Sequence, residues 1–169
     1  MGQRGFEEMA QAGFGTRAQA ELENAANPVA ELLGGRRVLK HAVASPLDAH
    51  ELIVAGLPGE ALNFLERRLT VLDAMAFEKA IGMSLRTVQR RRADPSQALN
   101  PEQSGRTWKF AEILAQATRV FGDQSAAERW LEQPAMALDG RRPLDLLASP
   151  AGVELVETLL GQLEFGVYV

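Results

Sequence analysis

Apolar side chains from residue 45 onward recur mostly three and four positions apart, the spacing that places side chains on one face of a helix. Leu62, Leu65 and Leu69 show this spacing clearly. The sequence contains no run of alternating β-branched residues between turn signals, which a strand would require. The pattern therefore predicts an all-α fold with about eight helices.

Capping residues and glycines mark the helix ends. Three residue pairs combine a side-chain cap with a proline at the first helical position: Ser45-Pro46, Asn100-Pro101 and Ser149-Pro150. Such pairs favour a helix start, because the cap accepts a free amide and proline has none to leave unpaired. Glycines at positions 56, 122 and 166 then mark the ends of the same helices.

The N-terminal part of the chain, residues 1–44, is predicted to be a flexible extension. Its first 27 residues mix glycine, alanine and polar residues without a sustained apolar stripe, a composition typical of disorder. The following segment, residues 28–40, admits two interpretations. It forms either a short helix that ends at Gly34-Gly35 or a second stretch of linker.

Composition excludes several classes of site. The chain has 169 residues, a formal net charge of -4, no cysteine and two histidines. Without cysteine there is no disulfide, thiolate nucleophile or cysteine-ligated metal, and His41 and His50 have no acidic cluster near them. Neither histidine is paired with a nucleophile in a recognisable motif, and no glycine-rich phosphate loop follows a strand. We therefore expect no enzymatic activity, no metal and no cofactor.

No apolar run approaches the roughly 20 residues that a membrane span needs, and the start of the chain lacks the apolar core of a signal peptide. A soluble cytoplasmic protein without membrane contact is expected. Charge is unevenly distributed, because residues 61–119 carry ten basic and six acidic side chains, whereas residues 120–169 carry three and eight. This asymmetry favours a middle region that faces nucleic acid, joined to a region that meets another partner.

The stretch IGMSLRTVQRRR, residues 81–92, has the pattern of a helix-turn-helix unit. Phe77 and Ile81 are predicted to form the inner face of the first helix, and Gly82 permits the turn. Leu85 and Val88 are predicted to form the inner face of the second helix. Six residues are then predicted to face outward and to contact DNA: Ser84, Arg86, Thr87, Gln89, Arg90 and Arg91.

Each type of outward side chain predicts a contact. Ser84 with the helix N-terminus suits a phosphate, and Arg86 with Gln89 suits guanine or adenine edges in the major groove. Arg90 and Arg91 are expected to contact phosphates. Arg92 is expected to lie along the apolar stripe. The alternative interpretation is that these arginines only solvate one side of a bundle helix.

Glu78 occupies a position where helix-turn-helix proteins usually have a small residue, four residues before the turn glycine. A carboxylate there is expected to alter the packing of the two helices or to turn them away from DNA.

The C-terminal third carries an ordered set of motifs: Val120-Phe121-Gly122, Trp130-Leu131, Pro134, Leu138, Gly140, Pro143-Leu144-Asp145-Leu146-Leu147, Gly152 and Glu164-Phe165-Gly166. Together they resemble the toxin-binding domain of Xre/MbcA/ParS-type antitoxins. Upstream, GLPGEALNFLERRL, AIGMSLRTVQRRR and LNPEQSGR are similar to the Xre-like helix-turn-helix half of the same antitoxins. The resemblance covers roughly residues 45–169.

The resemblance implies an Xre-like helix-turn-helix domain over residues 45–110 and a small helical toxin-binding domain over residues 111–169. It implies an antitoxin of a type II toxin–antitoxin pair whose partner is a RES-domain toxin that degrades NAD⁺. Such an antitoxin covers the entrance to the toxin active site and usually represses its own operon as a homodimer bound to operator DNA. The alternative is a stand-alone helix-turn-helix regulator without a toxin partner.

Residues for toxin contact are predicted at two places in the C-terminal domain. Arg141 and Arg142 follow Gly140 in a predicted exposed turn, and the apolar, aromatic stretch EFGVYV ends the sequence. Aromatic and arginine side chains are typical interface anchors. The predicted set is Arg141, Arg142, Phe165, Val167, Tyr168 and Val169. The competing interpretation of the tail is that it folds back on its own bundle.

Overall fold

The computed structural model describes residues 27–166, and this part of the chain folds into ten α-helices and one short 3₁₀ helix. The helices are α1 (Pro28–Leu32), α2 (Gly35–Leu39), α3 (Pro46–Ala55), α4 (Gly59–Arg68), α5 (Ala74–Ile81), α6 (Leu85–Ala93), α7 (Pro101–Phe121), α8 (Gln124–Glu132), α9 (Pro143–Leu146) and α10 (Pro150–Phe165), with the 3₁₀ helix at Met136–Leu138. Extended pairing in this range is limited to two isolated bridges, Pro58 with Ala98 and Ala135 with Arg141. The all-α prediction is confirmed.

The predicted caps start the predicted helices. At α3, the Ser45 hydroxyl accepts the Asp48 amide at 3.2 Å, and the Asp48 carboxylate accepts the Ser45 amide at 2.8 Å. These backbone hydrogen bonds favour the ionised carboxylate and lower the pKa of Asp48. Asn100 and Gln103 make the same reciprocal pair at the start of α7, at 2.8 and 3.2 Å. Both capping boxes satisfy amides that a helix start leaves free.

Helix α7 is the centre of the fold and packs against α1, α3, α5, α8 and α10. It buries aromatic and aliphatic side chains on several faces, including Trp108, Phe110 and Ile113. Phe110 meets Phe77 of α5 edge to face, with ring centroids 5.5 Å apart. The predicted domain boundary between residues 110 and 111 lies inside this continuous helix, so both predicted domains share one core.

For residues 28–40 the structure agrees with the short-helix interpretation rather than with a linker, because α1 ends just before Gly34, and a second short helix, α2, follows. The flexible extension predicted over residues 1–44 is therefore wrong for residues 28–44. This segment places four fully or nearly fully buried side chains in the core: Leu32, Leu33, Val38 and Leu39. Asn27 fixes the entry of this segment by capping α1 and by donating to the Val43 carbonyl at 3.3 Å. Burying these four apolar side chains favours order over a solvated linker. Residues 1–26 lie outside the described range.

A buried carboxylate joins α8 to the turn before α5. Glu128 is completely inaccessible to solvent. One of its oxygens, Oε2, accepts the amides of Thr70, Val71 and Leu72 at 2.9, 2.6 and 3.0 Å. Its other oxygen accepts Nε2 of Gln124 at 2.7 Å. These hydrogen bonds compensate for the desolvation of the carboxylate and fix the chain that leads into α5.

Candidate functional site

Helices α5 and α6 form the predicted helix-turn-helix unit. Gly82 ends α5 in the left-handed region, at φ 60°, and Ser84 caps α6 by accepting the Thr87 amide at 3.3 Å. Phe77 and Ile81 on α5 are buried, as is Val88 on α6. Leu85 differs from the prediction: it is 38% exposed and lies on the outward side of α6.

The exposed face of α6 contains Arg86, Gln89 and Arg90. Neither arginine has a carboxylate within 4 Å among residues 27–166. Their guanidinium groups are therefore available for an external acceptor. Ser84 is exposed, but its hydroxyl is engaged within 3.0 Å of the Thr87 hydroxyl, and Thr87 is half-buried.

Arg91 does not face outward as predicted. It is only 8% exposed, and its Nη1 donates to Oε1 of Gln97 at 2.9 Å. Its carbonyl accepts a long hydrogen bond from Asn63 of α4, at 3.5 Å. The reason is helical geometry, since Arg91 follows the buried Val88 by three positions and so lies on the same face.

Arg92 also differs from the prediction, because it leaves the apolar stripe and pairs with Glu66 of α4. Its Nε donates to Oε2 of Glu66 at 2.8 Å, and its Nη2 donates to Oε1. The hydrogen bond from Arg92 to Glu66 raises the pKa of the guanidinium. This fork ties the outward side of α6 to α4.

Glu78 lies at the surface beside the N-terminus of α6. It is half-buried and lines a shallow depression with Met75, Met83 and Ser84. The inner faces of α5 and α6 are formed by other side chains. Glu78 is therefore not among the buried residues that pack α5 and α6 into the fold.

The predicted toxin-contact arginines have different environments. Arg142 forms a double hydrogen bond with Asp145, at 2.9 and 2.9 Å, and Lys79 of α5 lies 2.7 Å from the same carboxylate. These bonds, first that of Arg142 and then that of Lys79, lower the pKa of Asp145. Arg142 is thus part of a contact between α5 and α9.

Arg141 is exposed at the end of a tight loop. Its carbonyl accepts the Ala135 amide at 3.0 Å, and the residues before it turn the chain with positive φ values, 55° at Asp139 and 73° at Gly140. Near the start of this loop, Met136 is 90% exposed. The loop, which the backbone hydrogen bond between Ala135 and Arg141 closes, therefore exposes one cationic and one apolar side chain.

Phe165, near the end of α10, is 79% exposed. The preceding residue, Glu164, forms a double hydrogen bond with Arg119 of α7 at 2.8 and 3.2 Å, which fixes the end of the helix. Val167, Tyr168 and Val169 lie outside the described residues. Leu155, exposed on the same helix, is an apolar side chain that the sequence reasoning missed. Its position directly before the buried Val156 indicates its exposure, because adjacent residues of a helix point in different directions.

Between residues 27 and 166, no helix combines the length and apolar character needed to cross a membrane. The same stretch brings together no group of three or more histidines, aspartates or glutamates that could hold a metal ion.

Two family models match the chain. The Antitoxin Xre-like helix-turn-helix domain matches residues 48–112, and the Antitoxin Xre/MbcA/ParS C-terminal toxin-binding domain matches residues 116–166. The first covers α5 and α6, and the second covers the Arg141 loop and α10. The first match ends, and the second begins, within α7.

Curated relatives carry corresponding names. Antitoxin Xre of Pseudomonas putida is 32% identical over 124 residues, which are 73% of this chain and 76% of that protein. Antitoxin Xre of Yersinia enterocolitica is 34% identical over 91 residues, 53% of this chain and 61% of that protein. The Prs ADP-ribosylating antitoxin of a Sphingobium strain is 28% identical over 134 residues, 74% of this chain and 83% of that protein. Because the Pseudomonas relative is matched over most of both chains, and both halves of the fold fit their models, this chain belongs to the Xre/MbcA/ParS family of antitoxins.

Proposed function

We propose that this antitoxin neutralises a RES-domain toxin that degrades NAD⁺, by covering the entrance to the toxin active site with its C-terminal region. The observation that carries the proposal is the toxin-binding-domain match over residues 116–166, the region in which Met136, Leu155 and Phe165 are exposed. Exposed apolar side chains on an otherwise packed domain favour a protein partner.

A second candidate activity for the toxin is ADP-ribosylation. It is favoured by the name of the Sphingobium relative, the Prs ADP-ribosylating antitoxin. Degradation of NAD⁺ and ADP-ribosylation both consume NAD⁺, but only ADP-ribosylation transfers the ADP-ribose group of NAD⁺ to a protein. The two activities therefore leave different products.

The experiment is co-expression with the adjacent reading frame. A toxin encoded there should stop growth alone, and the antitoxin should restore growth and co-purify with it. Toxin without antitoxin should deplete cellular NAD⁺ without modifying protein if it degrades the dinucleotide. Appearance of an ADP-ribosylated protein would favour the second activity. A neighbour with no toxicity and no binding would leave the stand-alone regulator as the better explanation.

The helix-turn-helix unit is proposed to bind operator DNA as part of a homodimer and to repress the operon of the antitoxin. Arg86 and Gln89 are exposed and lie three positions apart on α6, and Arg86 has no carboxylate within 4 Å in the described range. Replacing both with alanine should change sequence preference, because bidentate contacts to base edges discriminate between bases. Unchanged preference in a binding-site selection would assign DNA contact to another surface.

A further inference from the structure

Cations without an intramolecular partner are concentrated on particular surfaces. In residues 27–166, six cationic side chains have a carboxylate within 4 Å: Lys79, Arg92, Arg106, Lys109, Arg119 and Arg142. On α6, Arg86 and Arg90 lack such a partner. Five more exposed cations without one lie on α2, at its C-cap and on α4: Arg36, Arg37, Lys40, Arg67 and Arg68. We call these five residues the α2–α4 basic face.

Three of the five basic-face residues line a depression of about 370 Å³ between α2 and α4. Its lining includes Arg37, Phe64, Arg67 and Arg68, together with Glu60, Asn63 and Pro95. The guanidinium carbons of Arg37 and Arg68 lie 5.8 and 5.9 Å from the centroid of the Phe64 ring. Both distances fall within cation–π range, so the ring holds two guanidinium groups at the surface before a ligand arrives.

The basic face is attached to α6. On α4, Asn63 donates to the carbonyl of Arg91 and Glu66 pairs with Arg92. Pro95, in the loop that leaves α6, lines the depression itself. The two unpaired cationic surfaces thus belong to one packed unit, and the basic face borders the C-terminal end of α6.

Phosphate is the ligand chemistry that this face fits. A guanidinium group donates two parallel hydrogen bonds to phosphate oxygens, and several exposed cations together favour a polyanion. The chain as a whole carries a net charge of -4, so an unpaired cationic surface does not follow from an excess of basic residues. We propose that the α2–α4 basic face binds the phosphate backbone of duplex DNA that flanks the base pairs contacted by α6. This inference rests on the proposed DNA binding by α6.

The test measures DNA affinity against salt concentration, using the full chain and a duplex from the region upstream of its own reading frame. Arg67→Gln should reduce the magnitude of the slope of log affinity against log salt by about 0.9, because each lost phosphate contact releases fewer counterions from the DNA. The double variant Arg37→Gln with Arg67→Gln should reduce it by about twice that amount. Sequence preference should stay unchanged, because phosphate contacts do not specify bases. Arg68 is retained, since its Nη1 also donates to the Glu31 carbonyl at 3.4 Å.

Arg129→Gln is the matched control, because Arg129 is exposed on α8 and also lacks a carboxylate within 4 Å in the described part of the chain. Its slope should equal that of the wild type. If Arg129→Gln lowered the slope equally, net charge alone would explain the effect. If the double variant kept the wild-type slope, the basic face would not contact DNA. Either result overturns the inference.

Two further outcomes separate this inference from its premise. Arg37→Lys with Arg67→Lys keeps both charges and should restore the slope; continued loss in this variant would mean a structural effect and would contradict phosphate binding. If the wild type itself does not bind the duplex, the proposed DNA binding fails and this inference fails with it. Normal wild-type binding with unaffected basic-face variants would reject the inference alone.

Discussion

The Glu128 carboxylate accepts the Val71 amide at 2.6 Å, so a fully buried charge on α8 holds the turn that leads into the helix-turn-helix unit. The same oxygen also accepts the amides of Thr70 and Leu72. Val71 lies within the helix-turn-helix family match, whereas Glu128 lies within the toxin-binding match. The two regions are therefore connected by a directional hydrogen-bonded contact in addition to apolar packing.

Replacing this carboxylate should destabilise the whole molecule. Glu128→Ala leaves three backbone amides without their acceptor, and we expect the free energy of unfolding to fall by about 3 kcal/mol. Urea titration followed by circular dichroism measures the change. Glu154→Ala, at an exposed position of α10, is the control and should stay within about 0.5 kcal/mol of the wild type. Equal stability of the two variants would show that the 70–72 turn does not depend on Glu128.

Asp145 makes the contact between α5 and α9 sensitive to acid. Its pKa is lowered in the folded state by Arg142 and Lys79, so the unfolded chain binds a proton more readily. The stabilisation is fully present above the ordinary carboxyl pKa of 3.8 and is lost as the pH falls through the lower folded value. The Asp145→Asn variant should therefore be less stable than the wild type at neutral pH. This difference in the free energy of unfolding should shrink as the pH falls below 3.8. A deficit that is constant across urea titrations between neutral and acidic pH would contradict this linkage.

Neighbouring arginines on α6 should respond differently to alanine. Arg91 is buried and bonded to Gln97, so Arg91→Ala should lower the free energy of unfolding by about 2 kcal/mol through lost packing and an unsatisfied partner. Arg90 is exposed, so Arg90→Ala should leave stability unchanged and reduce the salt dependence of DNA binding by about one contact. Paired thermal unfolding and DNA titrations separate the two effects. An Arg91→Ala protein of wild-type stability with weakened DNA binding would show that Arg91 contacts DNA and does not stabilise the fold.

Two glycines of α10 provide a matched pair. A Cβ at Gly152 would lie 2.0 Å from the Leu146 carbonyl oxygen, whereas a Cβ at Gly161 meets no atom within 4 Å among the described residues. Gly152→Ala must displace backbone and should cost about 3 kcal/mol. Gly161→Ala should instead stabilise by roughly 0.5–1 kcal/mol, since alanine favours the helix interior. Thermal unfolding of both variants checks the opposite signs.

The end of the sequence is expected to act on the toxin. Deleting Val167–Val169 should weaken neutralisation more than folding, because apolar and aromatic side chains are typical anchors of a protein–protein interface. Growth rescue in co-expression and thermal unfolding of the isolated protein measure the two effects separately. Replacing the same three residues with serine keeps the length and should give the same loss. Full protection by either variant would remove the tail from toxin binding.

Local signals predicted most helix boundaries. Ser45, Asp48 and Asn100 act through neighbours within four positions, so the sequence contains the whole interaction. The same is true of Ser84 and of the glycine turn before it. The predictions for these helices depended on backbone chemistry that tertiary context does not override.

The features that the sequence left open or did not predict, among them α2 and the burial of α1, depend on tertiary contacts. Helices α1 and α2 are five residues each, too short to form alone, and depend on burial of Leu33 and Leu39 against the rest of the fold. The outward orientation predicted for Arg91 is wrong and the burial of Glu128 is not predicted, although each residue lies three positions from a buried apolar residue on its helix. Their burial depends on partners that lie on other elements or in a following loop, and periodicity alone does not identify such partners.

The unbroken course of α7 ties the orientation of one half of the molecule to the other. Its 21 residues span about 31 Å, and each residue contributes about 1.5 Å of rise and about 100° of rotation. Inserting a single alanine between Gln116 and Ala117 would therefore swing the following region around the helix axis while leaving both sets of motifs intact. A change in the length of α7 is thus far more disruptive than a change in the length of a flexible hinge. A toxin bound to the C-terminal region would keep a fixed orientation relative to any duplex bound to α6.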